Sequence, residues 1–101
     1  MDINLASPQG QLLIGLDKLP RKRQVNRVCL CFWSFLDQQS IKKVNVKIRG
    51  DRCRISFSKS PRSKTSPTIP ANILDDLLEL GYLESISFNH HLNAVDVLIK
   101  C

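Results

Sequence analysis

The sequence predicts an α+β domain: two helix–β-hairpin units forming one four-stranded antiparallel sheet with helices on one face, plus an N-terminal strand or helix. Three patterns lead there. Apolar residues alternate with polar ones on both sides of Gly50-Asp51, and again on both sides of His90–Asn93. Each alternating stretch follows a segment with apolar residues at steps of three and four. A chain of 101 residues can build one core but not two. The expected organisation is a single domain, 1–101: an N-terminal element over 1–19, a first helix–hairpin unit over 20–57, a basic Ser/Pro linker over 58–69 and a second unit over 70–101.

Residues 1–19 support two readings. Ser7-Pro8 suits a helix start, with Ser as N-cap and Pro in the first turn. Gly10 and Gly15 weaken a helix, and Leu12-Leu13-Ile14 suits an edge strand equally well. Beyond Pro20, the positions Val25, Val28, Phe32, Phe35 and Leu36 mark one face of a helix. A strand could also claim its middle, because Leu30, Cys31 and Trp33 make that stretch apolar all round. Cations oppose the positive end of a helix dipole, which places Arg21, Lys22 and Arg23 in the lead-in rather than in the helix.

Val44, Val46 and Ile48 alternate into Gly50-Asp51, and Cys53, Ile55 and Phe57 alternate out. A two-residue Gly-Asp loop suits a type I′ or II′ turn. It pairs Ile48 with Cys53, Val46 with Ile55 and Val44 with Phe57, which puts every apolar side chain on one face. Proline breaks and polar residues mark 58–69 as a linker. Pro70 then opens a helix whose stripe is Ile73, Leu74, Leu77 and Leu78, and Gly81 suits its C-terminal cap. Ile86 and Phe88 lead into a loop around His90–Asn93, and Val95, Val97 and Ile99 lead out. Leucine tolerates positive φ badly, so a four-residue loop is expected in preference to a Leu92-Asn93 turn.

An ungapped shift of 42 residues superposes the two units. Phe35, Leu36, Val44 and Val46 fall on Leu77, Leu78, Ile86 and Phe88, and Cys53, Ile55 and Phe57 fall on Val95, Val97 and Ile99. The repeat is one of pattern, and it implies a joint core of Phe32, Phe35, Val46, Ile55, Leu74, Leu77, Phe88 and Val97. The element order resembles one half of a LAGLIDADG homing endonuclease, a family whose saddle-shaped sheet grips DNA. That family ends its first helix with glycine and a metal-binding acid. Here the stretch reads Phe35-Leu36-Asp37-Gln38-Gln39, so the resemblance carries no nuclease chemistry. Asn89-His90-His91 is similar to the paired histidines of pterin carbinolamine dehydratases, without their following proline and tryptophan. Membership of either family does not follow.

The net charge of +6 conceals a strong asymmetry. Fourteen Lys/Arg and two acids lie between Lys18 and Lys64, whereas 65–101 holds Lys100 and five acids. A basic block of this size points to a polyanionic partner. Strict alternation gathers Lys43, Lys47, Arg49, Arg52 and Arg54 on the open face of the first hairpin, with Lys47 opposite Arg54 and Arg49 opposite Arg52. Opposed like charges are destabilising, so a face that keeps two such pairs suggests an anion to relieve them. The same residues would also protect a strand edge from aggregation. Arg21, Lys22, Arg23 and Arg27 form one satellite of this patch, and Lys59, Arg62 and Lys64 in the linker form another. Phe57 and Phe88 are expected to point inward, which leaves no aromatic residue for base stacking on the open face.

Catalytic chemistry finds little footing. The chain has no glycine-rich phosphate loop and no serine in a nucleophile motif. His90, His91 and Asp96 are the only acid–base group, with His90 expected at the core edge and His91 in solvent. Cys29-x-Cys31 lacks the spacing of a zinc-binding turn, so no metal and no cofactor are expected, and the thiols should be reduced. The longest apolar run, Val28 to Trp33, is too short to cross a bilayer, and a cytoplasmic location is expected.

The expected function is binding of nucleic acid (DNA or RNA) or another polyanion, with contacts mainly to phosphates and little sequence selectivity. The alternative is a protein-interaction or regulatory subunit that sets its basic face against an acidic protein, or against its own acidic half in a homodimer.

Overall fold

The computed structural model describes residues 6–100; the first five residues of the N-terminal segment and Cys101 lie outside the described residues. Seven elements follow in order: α1 (Pro8–Leu16), α2 (Lys22–Gln38), β1 (Lys43–Arg49), β2 (Arg52–Ser58), α3 (Ala71–Leu80), β3 (Leu83–Asn89) and β4 (Ala94–Lys100). The four strands form one antiparallel sheet in the order β1-β2-β4-β3. The two hairpins therefore join through β2 and β4. Ile55 pairs with Val97, its own equivalent in the repeat, which puts a pseudo-twofold axis at the centre of the sheet.

The undecided N-terminal segment is a helix. Ser7 is its N-cap, accepting a hydrogen bond from the Gly10 N–H at 3.1 Å, and Pro8 occupies the first turn. The glycines that argued against a helix become intelligible once α1 meets β1. A Cβ on Gly15 would stand 2.5 Å from Cβ of Val46, so only glycine lets the helix come this close. Gln11 Oε1 accepts the Val44 backbone N–H at 2.7 Å, which satisfies a donor on the free edge of β1. Leu12 and Leu16 are fully buried beneath this contact.

α2 begins at Lys22, so Lys22 and Arg23 sit in its first turn and only Arg21 stands ahead, as N-cap. The unfavourable charge is met locally by Asp17, whose carboxylate lies 2.6 Å from Lys22 Nζ. Gln24, at 2% exposure, donates from Nε2 to the Lys100 carbonyl and ties α2 to the end of β4. Further along, the Phe32, Phe35 and Phe57 rings pack with centroids 4.8 to 5.9 Å apart, which anchors α2 on β2.

Both helix-to-hairpin connections use the same termination. The Ile41 N–H bonds the Leu36 carbonyl past Ser40 at φ 53°, and the Tyr82 N–H bonds the Leu77 carbonyl past Gly81 at φ 74°. Each is a Schellman closure with one left-handed residue. The first hairpin has the register expected of it at every pair, and positive φ at Gly50 but not at Asp51 is the type II′ pattern. The second closes through four residues, with Asn93 at φ 48°.

That longer loop overturns the ungapped repeat. A shift of 42 still maps β2 onto β4, but Val46 and Ile86 hold equivalent places, opposite Ile55 and Val97, only 40 residues apart. A bulge at Leu83/Ser85 then shifts the start of β3 one residue further, so that Leu83 opposite Ile99 takes the place of Val44 opposite Phe57, 39 residues apart.

The core joins both units: Phe32, Phe35, Ile55, Leu77 and Val97 are fully buried, together with Leu12, Leu16 and Leu19. Three of the expected members differ. Val46 and Leu74 are half-buried, and Phe88 is 53% exposed. Phe88 does lie on the helix-bearing side, opposite Val95, but at the end of an edge strand that the short α3 does not cover. His90 is likewise exposed with His91, because both belong to the loop rather than to β3.

Candidate nucleic-acid interface

The sheet face opposite the helices is open, and its side chains form rows across the four strands. One row reads Arg49, Arg52 and Lys100; the next reads Lys47, Arg54, Leu98 and Ser85. Asn45, Ser56, Asp96 and Ser87 follow, then Lys43, Ser58, Ala94 and Asn89. The period-two alternation of each strand fixes which residues belong here, and the hairpin turn fixes their order.

Lys43, Lys47, Arg49, Arg52 and Arg54 are all exposed on this one face, and the opposed pairs Lys47–Arg54 and Arg49–Arg52 are present as expected. Lys47, Arg49, Arg52, Arg54 and the half-buried Leu98 line one open depression. A second adjoins it at Lys47 and Arg54 and continues past Asn45, Ser56 and Ser58 to Lys42, Lys43 and Lys59. A trough thus runs along β1 and β2 with cations at both ends, its second half lined also by Asn89, Leu92, Ala94 and Asp96 of the second hairpin.

Two charged neighbours escaped notice in the sequence. Lys100 flanks Arg52 because β4 pairs with β2, and Glu84 Oε2 lies 3.1 Å from Arg52 Nε, an ion pair reaching over from β3. No local pattern announces either contact, since both depend on how the second hairpin docks.

Lys59 of the linker satellite lines the trough, and the other satellite residues lie elsewhere. Arg21, Lys22 and Arg23 belong to the helical layer, with Lys22 engaged by Asp17. Arg62 and Lys64 are exposed in a linker that folds over the second hairpin loop. Asn93 holds it there, donating from Nδ2 to the Ser60 and Thr65 carbonyls at 3.4 and 3.3 Å and accepting the Lys59 N–H at 3.1 Å.

The thiols are set for packing. Burial pushes the buried Cys29 up to about 11, and it raises Cys31 too, with the Asp76 carboxylate adding to the shift. A raised thiol is a poor thiolate donor at neutral pH. No helix among the described residues is long and apolar enough to cross a membrane. Comparison with known family models, curated proteins and solved structures returns no match to this chain.

Proposed function

We propose that the protein binds nucleic acid, mainly through its phosphates, on the open face of β1 and β2, and that it acts by binding rather than by catalysis. The observation that carries this is the pair of opposed cation pairs, Lys47–Arg54 and Arg49–Arg52, on a face no helix covers. Only Arg52 of these four is in an ion pair among the described residues. Cations held this close repel one another, and phosphate oxygens between them would turn that repulsion into attraction. Leucine rather than an aromatic ring lies among them, so affinity should depend little on base identity.

The test is a polarisation titration against duplex DNA, single-stranded DNA and RNA at two salt concentrations. Each phosphate neutralised costs about 0.9 log units of affinity per decade of salt on duplex DNA, and about 0.7 on a single strand. Four contacts would weaken binding several-hundred-fold to several-thousand-fold for tenfold more salt. Reversing Lys47 and Arg54 to glutamate should weaken all sequences alike and flatten the slope. Binding indifferent to salt or to those changes would refute the proposal.

A second reading rests on α3, whose exposed Asp75, Asp76 and Glu79 offer an acidic surface on the other layer. A basic face of one copy set against α3 of another would give an interaction module. Concentration-dependent association without nucleic-acid binding would favour it.

A further inference from the structure

The arrangement of charge across the sheet narrows the ligand further. We infer that the site takes a single phosphodiester strand, lying along β1 and β2, in preference to a duplex; this rests on the nucleic-acid reading above. Five cations occupy the outer positions of β1 and β2, but on the next two strands the acids Asp96 and Glu84 outnumber one cation, Lys100 beside Arg52. Asp96 of β4 stands beside Ser56, and Glu84 of β3 reaches Arg52. On the other side of β1 lies α1, which contains no lysine or arginine. The basic surface is therefore a lane two strands wide, or about 5 Å between strand axes. From Lys43 to Arg49 it is about 20 Å long.

A backbone of linked phosphates fits a lane of that shape. A duplex does not, because its second backbone lies about 6 to 12 Å away across a groove. Over β4 and β3 that backbone would meet Asp96 and Glu84 with only Lys100 to offset them; over α1 it would meet no cation. Carboxylates next to phosphates repel at short range and cost affinity unless screened. Leu98, half-buried beside Arg54, adds an apolar spot where an unstacked base can rest, which a paired base in a duplex cannot reach.

The experiment compares one oligonucleotide as single-stranded DNA, as RNA and as duplex DNA, by polarisation at fixed salt. At least one of the single strands should bind about tenfold or more tighter than the duplex, with a salt slope near 0.7 per contact. The double variant Glu84→Gln with Asp96→Asn should raise duplex affinity more than single-strand affinity and narrow the gap. Ser87→Lys, which adds a cation to the outer face of β3, should narrow it independently, with an unchanged melting temperature as the check on folding. Equal affinity for duplex and single strands, or a ratio unmoved by both variants, would overturn the single-strand inference and leave phosphate binding standing. No salt-sensitive binding to any probe would overturn both.

Discussion

The two helix–hairpin units share a hydrophobic pattern but not a depth of burial. α2 buries seven of its seventeen residues, whereas α3 buries two of its ten. Counted from the left-handed residue that closes each helix, Leu36 and Leu77 are equivalent and both covered, but the place of the buried Phe35 is taken by the exposed Asp76, and α3 leaves Leu78 of its apolar stripe 61% exposed. The outer strands differ in the same way. β1 has α1 against it, with Gln11 on the Val44 N–H and Gly15 against Val46, while β3 leaves Phe88 largely in solvent. An apolar stripe records which side of an element can be buried. How much of it is buried depends on a neighbour, and only the first unit has α1.

The sharpest test of that asymmetry sets Leu36→Ala against Leu78→Ala. The first should cost about 2–5 kcal/mol by urea denaturation, the range for a buried leucine. The second should stay within about 0.5 kcal/mol, as exposed substitutions do. Similar costs at the two sites would mean that α3 is covered in solution as α2 is.

Next in size is the α1–β1 contact. Gly15→Ala should destabilise by about 1–3 kcal/mol, because its Cβ enters the space of Val46 and the helix must move away. Val46→Ala in that background should recover part of the loss, whereas simple additivity would mean that the two do not touch.

A smaller effect compares the two helix ends. Ser40 and Gly81 hold the same left-handed position, where a side chain costs on the order of 1 kcal/mol. Ser40→Gly should therefore stabilise by roughly 0.5–1 kcal/mol, and Gly81→Ala should destabilise by a similar amount. A loss at Ser40 would show that its side chain contributes something the backbone geometry does not explain.

The last comparison uses pH. The folded state holds the Cys29 thiol above its ordinary value, so it favours the protonated form more than the unfolded chain does. That contribution is fully present below about pH 9 and is lost as pH rises to about 11. Cys29→Ala should flatten this alkaline decline in melting temperature, and an unchanged decline would assign it to other groups.

The first hairpin was legible to the residue, because two independent local signals agree there. The Gly50-Asp51 loop sets the register, and the same register puts Val44, Val46, Ile48, Cys53, Ile55 and Phe57 on one face. The second hairpin was legible in its loop length but not in its equivalence to the first. The two extra loop residues slide β3 against the repeat, and a bulge slides its start one residue further. α1 was ambiguous for a tertiary reason: Gly15 lowers helix propensity locally and repays it only where β1 comes close.

The sequence by itself determined which side chains share a face, because the period of a strand or helix is a property of the backbone. That was enough to gather Lys43, Lys47, Arg49, Arg52 and Arg54 on one surface. The tertiary structure decided what lies beside them. Pairing β2 with β4 set Lys100 next to Arg52 and Asp96 next to Ser56, and it brought Glu84 across from β3. Those neighbours are 32 to 48 residues away in sequence, and the docking of one hairpin on another is settled by burying the joint core, not by any local pattern.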